Sequence, residues 1–185
     1  MNRKTTLTAL AAAMLAATTG LAALPAEAHQ HKTQAAAGPN IVQVAMSTGV
    51  HNTLVAAVKA AGLVDTLSSP GPFTVFAPTD TAFAKLPAGT VATLVKPANK
   101  GTLTGILTYH AVAGKVTSAD LVALIKQGHG EAVIETLAGG ELTARLAGDT
   151  IIITDEKGRA TAVTQADVKT SNGVVHVTDG VFLPA

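Results

Sequence analysis

Two hydrophobic rhythms divide the chain. Between residues 40 and 128 apolar side chains return every three or four positions, the spacing of one helix face, and beyond residue 130 they alternate with polar ones, as in strands. In the first half Asn40 stands as an N-cap before residues 41–46. Leu54, Val55, Val58 and Ala61 form the stripe of a second helix, which Gly62 is placed to stop in a left-handed cap, and 63–67 adds a turn. Residues 68–72, SSPGP, break the backbone. The run from Phe73 through Thr74 and Val75 to Phe76 is aromatic and β-branched, so it reads as a strand, and Pro78 ends it. Thr79 and Asp80 carry oxygens able to cap the short helix that follows, on which Phe83 and Leu86 share a face.

Val91, Leu94 and Val95 mark another short helix, and Leu103, Ile106, Leu107 and His110 line one face of a helix over about 100–109. Gly101 and Gly105 weaken that helix by roughly 1 kcal/mol each against alanine, which predicts a close backbone approach at one of them. Residues 111–114 form a short strand. Ser118 is the expected N-cap of the last helix, with Asp120 near its positive end and Leu121, Leu124 and Ile125 facing inward. His129, between two glycines, falls in an exposed loop.

The second half reads as an antiparallel meander: strands at 132–137, 141–146, 150–154 and 160–165, with turns at Gly139-Gly140, Gly148-Asp149 and Lys157-Gly158. Asn172-Gly173 is expected to form a type I′ hairpin turn into 174–178, where Val174, His176 and Thr178 share a face. Asp179-Gly180 makes a bulge or turn. Residues 181–184 finish the last strand, with Phe182 meeting the Phe73 strand in the core.

Composition narrows the setting. A basic Asn2-Arg3-Lys4 leader, an uncharged Ala/Leu/Thr run over 7–24 and an A-x-A site read as a secretory signal over 1–28, cleaved after Ala28. A flexible leader over 29–39 and one domain over 40–185 follow. There is no cysteine, so no disulfide supports the exported protein and stability rests on its core. Without Arg3, Lys4 and Glu27 the basic and acidic side chains balance, and one Tyr with four Phe supplies every aromatic ring, which argues against a nucleic-acid surface. No nucleophile, phosphate-loop or zinc motif is present, and the reading is non-enzymatic. The one metal candidate is conditional on cleavage: a mature start at His29-Gln30-His31 offers an amine, two amide nitrogens and an imidazole to Cu(II).

Three stretches, FTVFAPTDTAF (residues 73–83), Tyr109-His110, and SNGVVHVTDGVFLP (residues 171–184), agree in order and spacing with the signature of the fasciclin (FAS1) domain, and the chain resembles that family over roughly residues 40–185. The motif residues are Phe73, Thr74, Phe76, Pro78, Thr79, Asp80, Phe83, Asn172, Gly173, His176 and Asp179. The resemblance implies an α+β fold, a wedge of short helices on an antiparallel β-sandwich or open barrel. It further implies a secreted adhesion module, extracellular or periplasmic, that recognises a protein or surface glycan and gains strength by self-association or many copies. It makes Tyr109, His110, Asp167 and Val168 candidates for that contact. The residues themselves allow a plainer reading: a buried Tyr ring with its hydroxyl on a carbonyl, a core-bonded His110 and His176, and Asp167 as a turn residue bonding its own backbone. A carrier of an apolar lipid or pigment between helices and sheet is the alternative function.

Overall fold

The computed structural model describes residues 38–184. Asn40 does cap α1 (Ile41–Ser47), in a reciprocal box with Gln43, and Gly62 closes α2 (Asn52–Ala61) at φ 73°. After α3 (Val64–Ser68) come β1 (Phe73–Pro78), α4 (Asp80–Ala84), α5 (Thr90–Leu94), α6 (Lys100–Tyr109), β2 (Ala111–Ala113) and α7 (Ser118–Gln127). Strands β3 (Glu131–Glu135), β4 (Glu141–Ala147), β5 (Thr150–Thr154), β6 (Ala160–Thr170) and β7 (Gly173–Thr178) complete the fold.

It is the expected α+β architecture, a wedge of short helices against a nearly closed barrel. The seven strands run in the order β2-β1-β7-β6-β5-β4-β3, and the Leu137 N–H donates to the Ala111 carbonyl (2.8 Å), drawing the two ends of the sheet together. The sheet is mixed rather than antiparallel throughout, because β1 lies parallel to β7, in register from Phe73 opposite Gly173 to Pro78 opposite Thr178. Every residue of β7 is buried, as a parallel strand covered on both faces requires.

Alternation along this seam feeds two cores. Phe76 and Phe182 join Leu121, Ile125, Leu142 and Ile153 in a cluster with α7 and β3–β5. Val75, Ala77 and Val175 join Leu54, Val58 and Leu107 from α2 and α6 in a second cluster. Phe182 meets β1 as expected, edge-on to Phe76 at 5.7 Å.

Four local expectations are corrected. Thr117, not Ser118, caps α7, pairing reciprocally with Asp120. Neither Gly101 nor Gly105 has a neighbour within 4 Å of where a Cβ would stand, so no close approach explains them. The last hairpin turns one residue early, through Ser171-Asn172, and Gly173 is already in β7 without a positive φ. Its glycine is needed for space: a Cβ there would lie 1.9 Å from the Phe73 carbonyl oxygen. Residues 181–184 form no strand, because side chains take their N–H groups: Phe182 donates to His110 Nε2 (2.9 Å) and Leu183 to Asp155 Oδ2 (3.1 Å).

Candidate functional site

The first four N–H groups of a helix have no partner within it. In this molecule polar side chains from distant parts of the chain supply some of those partners. Asn172, beyond β6, accepts from the Ile41 N–H of α1 (3.0 Å) and donates to the carbonyls of Leu67 (2.8 Å) and Ser69 (3.0 Å). Asp80 was expected to cap its own helix. Thr79 does that through Ala82, while Asp80 reaches back to the start of α2, accepting from Thr53 N (2.7 Å), Asn52 N (3.2 Å) and Asn52 Nδ2 (3.0 Å).

Asp167 repeats the arrangement at α7. Its Oδ1 accepts from the Ser118 N–H (2.8 Å) and its Oδ2 from the Ser118 hydroxyl. It does so from a bulge in β6, at φ 59°, a left-handed conformation that asparagine and aspartate tolerate best. Asp167 is therefore a long-range anchor, not a turn residue bonded to its own backbone. Burial tends to raise the carboxyls of Asp80 and Asp167, and the donors on Thr53, Asn52 and Ser118 more than offset it, holding both below the ordinary aspartate value.

The other motif residues are equally engaged. Thr74 donates to the Gly114 carbonyl (2.8 Å) and accepts from Val116 N (2.8 Å), fastening β1 to the loop after β2. Phe76 stacks on His176 at 5.5 Å, and His110 lies 4.9 Å from the Phe182 ring, so four rings run through the core. His176 donates from Nε2 to the Val116 carbonyl (2.9 Å) and accepts at Nδ1 from the Asp167 N–H (3.3 Å). Pro78 offers its carbonyl to His51, Phe83 packs half-buried against the helical core, and Asp179 accepts from Ala162 N (2.9 Å) while pairing with Lys85 (3.2 Å).

Tyr109 and His110 are inside the molecule, at 0% and 3% exposure. The Tyr109 hydroxyl donates to the Glu141 carbonyl (2.7 Å) and accepts from Glu156 N (3.2 Å), and burial first, then the charges of Glu156 and Asp155, raise its pKa. His110 donates from Nδ1 to the Ile106 carbonyl (2.8 Å) and accepts at Nε2 from Phe182, so both ring nitrogens are used by the neutral form. Burial is the main cause that lowers its pKa to about 4, against the opposing pull of the Ile106 carbonyl and the Asp155 charge. Val168 is half-buried against the helical core. His29 and His31, with the predicted cleavage site, lie outside the described residues.

Sequence reading passed over Asp155, which is buried and accepts from Lys157 N, Arg159 N, Arg159 Nε and Leu183 N. Its signal was present, an Asp opening the turn Asp155-Glu156-Lys157-Gly158. Among the described residues no fully buried side-chain nitrogen or oxygen lacks a partner, and no group of three or more His, Asp or Glu is placed to hold a metal. The cavity between the helical wedge and the sheet, lined by Ile41, Leu54, Val75 and Leu107, measures about 30 Å³. That is room for one or two waters.

These features define a class: an α+β domain in which motif side chains bind the helices to a mixed, nearly closed barrel. The chain belongs to the fasciclin domain family, whose model matches residues 49–184. It is 50% identical over 144 residues to protein sll1483 of Synechocystis sp., covering 78% of this chain and 73% of that protein. It is 35% identical over 122 residues to the cell surface glycolipoprotein MPB83 of Mycobacterium bovis, covering 66% of this chain and 48% of the relative. The FAS1 domain pair of the insect cell adhesion molecule fasciclin I superposes with a TM-score of 0.68 at 22% identity, over 78% of this chain and 51% of that one.

Proposed function

We propose that this protein is an exported, non-catalytic adhesion module that recognises a protein or surface glycan through its exterior. The observation that carries the reading is the use of the motif's polar side chains. Asp80, Asp167, Asn172, His110 and His176 are all engaged in holding helices, loops and strands together, which leaves recognition to side chains outside the motifs. Membership of a family that includes a cell surface glycolipoprotein supports an extracellular setting, and among the described residues no helix is long and apolar enough to cross a membrane. The enclosed cavity of about 30 Å³ is far below the roughly 300–1,000 Å³ of small-molecule pockets, and the open groove of about 310 Å³ beside the α1–α2 turn has room for a single ring rather than for a lipid or pigment.

Retention of the producing cells on beads coated with the purified protein tests the reading. The expected result is retention above albumin-coated beads that protease or glycosidase treatment of the cells removes. Retention equal to albumin contradicts it.

A further inference from the structure

The turn joining α1 to α2 borders a groove of about 310 Å³. Val44 and Val50 line one side and Val168, Val175 and Val177 the other, with Gln165 also among the lining residues and no charged side chain among them. The β6 wall is irregular. Its pairing with β7 shifts register between Val163 and Gln165 and again between Gln165 and Val168, the second shift enclosing Asp167 at φ 59°. Bulges of this kind bend a strand and re-aim its side chains, and they recur beside binding sites.

His51 also lines the groove, although only 1% of it is exposed. Its Nδ1 lies 3.0 Å from the Pro78 carbonyl oxygen. A carbonyl only accepts, so Nδ1 carries the hydrogen, and in the neutral ring Nε2 then keeps its lone pair. Among the described residues Nε2 has no partner, yet no fully buried side-chain nitrogen there is unpartnered. The small exposed area of the ring is therefore at Nε2, an unused acceptor opening on the valine-lined groove.

We propose that this groove is a binding site for a small, neutral, hydroxyl-bearing hydrocarbon, whose O–H donates to His51 Nε2 while its carbon skeleton packs on Val44, Val168 and Val175. A mostly apolar wall favours the hydrocarbon, and the nearly buried, unpartnered His51 acceptor favours a ligand that can donate to it, with Thr48 and Gln165 the other polar side chains on the lining. An ammonium donor would meet no counter-charge on the lining, and an anion would meet a lone pair. The volume lies at the lower end of small-molecule pockets and suits a single ring. The site goes beyond the adhesion reading and stands or falls without it.

The test is an NMR titration of the full chain with 4-methylphenol and with 1,4-dimethylbenzene, which matches it in shape and lacks the donor. The phenol is expected to shift the Val44, Val168 and Val175 methyls and the His51 Nε2 resonance. The dimethylbenzene should bind about tenfold more weakly, the loss of one ordinary hydrogen bond, and leave Nε2 unmoved. His51→Ala also removes the bond to Pro78, so the blocking variant is Gln165→Trp, at an exposed position of β6, which is expected to abolish binding with an unchanged unfolding curve. Equal affinities for the two probes, a still Nε2 resonance, undiminished binding by Gln165→Trp, or no phenol binding up to its solubility limit would each overturn the proposal.

Discussion

In the meander each strand from β4 to β6 pairs antiparallel with the strand before it in sequence, through a short turn, and the turn chemistry is written beside the strands it joins. At the seam, β1 meets a parallel partner from the far end of the chain, and the helices around it are held by Asn172, Asp80 and Asp167 from other elements. The meander is a sum of neighbour contacts. The seam is one cooperative junction, in which a single side chain joins two or three elements. A substitution at the seam therefore removes several bonds at once, whereas one on the outer face of the meander removes few.

The sharpest way to break that contrast is Gly173→Ala. The new Cβ would collide with the Phe73 carbonyl at 1.9 Å and force β1 from β7. A loss of more than about 4 kcal/mol, or failure to fold, is expected in urea titrations. Asn172→Ala leaves the Ile41 N–H and the Leu67 and Ser69 carbonyls without their partner, and the expected loss is about 3 kcal/mol in the same titration.

Acid probes the seam without mutation. His110 is neutral in the fold, with a pKa lowered to about 4, while the unfolded chain takes up the proton near about 6.5. The His110 contribution to stability should be flat above about 6.5, fall as pH drops from there to about 4, and level off below, with about 3 kcal/mol lost from this group. His110→Gln should remove that slope. Asp80 and Asp167 act in the same direction in a more acidic window: their carboxyls are held low, so their contribution is present above the ordinary aspartate value and is lost as pH falls through the lower folded values.

Smaller effects separate conformation from bonding at Asp167. Asp167→Ala loses the Ser118 bonds and puts alanine at φ 59°, for an expected cost of about 2 kcal/mol. Asp167→Gly loses the bonds alone and should cost about 1 kcal/mol less in thermal unfolding. On the meander, Val133 is 61% exposed on β3, and Val133→Thr should change stability by less than about 0.5 kcal/mol.

The same contrast explains what could be read from the chain. Helix stripes such as Leu54, Val58 and Ala61, the cap at Gly62 and the alternation through β4 and β5 are local patterns, and each element was legible from its own residues. The parallel pairing of β1 with β7 was not, since alternation gives a strand's faces but not its partner. The partners of Asp80 and Asp167 were hidden for the same reason. Each sits next to residues that suggest a local cap or turn, and the N–H groups they satisfy come from helices 27 and 49 residues away. Gly173 was read as a source of positive φ when its role is clearance, because sequence marks a glycine without saying which neighbour needs the room. His51 gave no signal at all. Its free nitrogen becomes visible only once Pro78 is seen to occupy the other.

Amide hydrogen exchange at the first turns of α1, α2 and α7 tests the anchoring account most directly. The Ile41, Thr53 and Ser118 amides occupy positions that an isolated helix leaves open to water, so they should exchange as slowly as interior amides. Asp167→Ala should release Ser118 and Asp80→Ala should release Thr53, with the amides of β4 and β5 unchanged in both. Fast exchange at these three amides in the unaltered protein, or protection that survives loss of the distant carboxylate, would contradict the account.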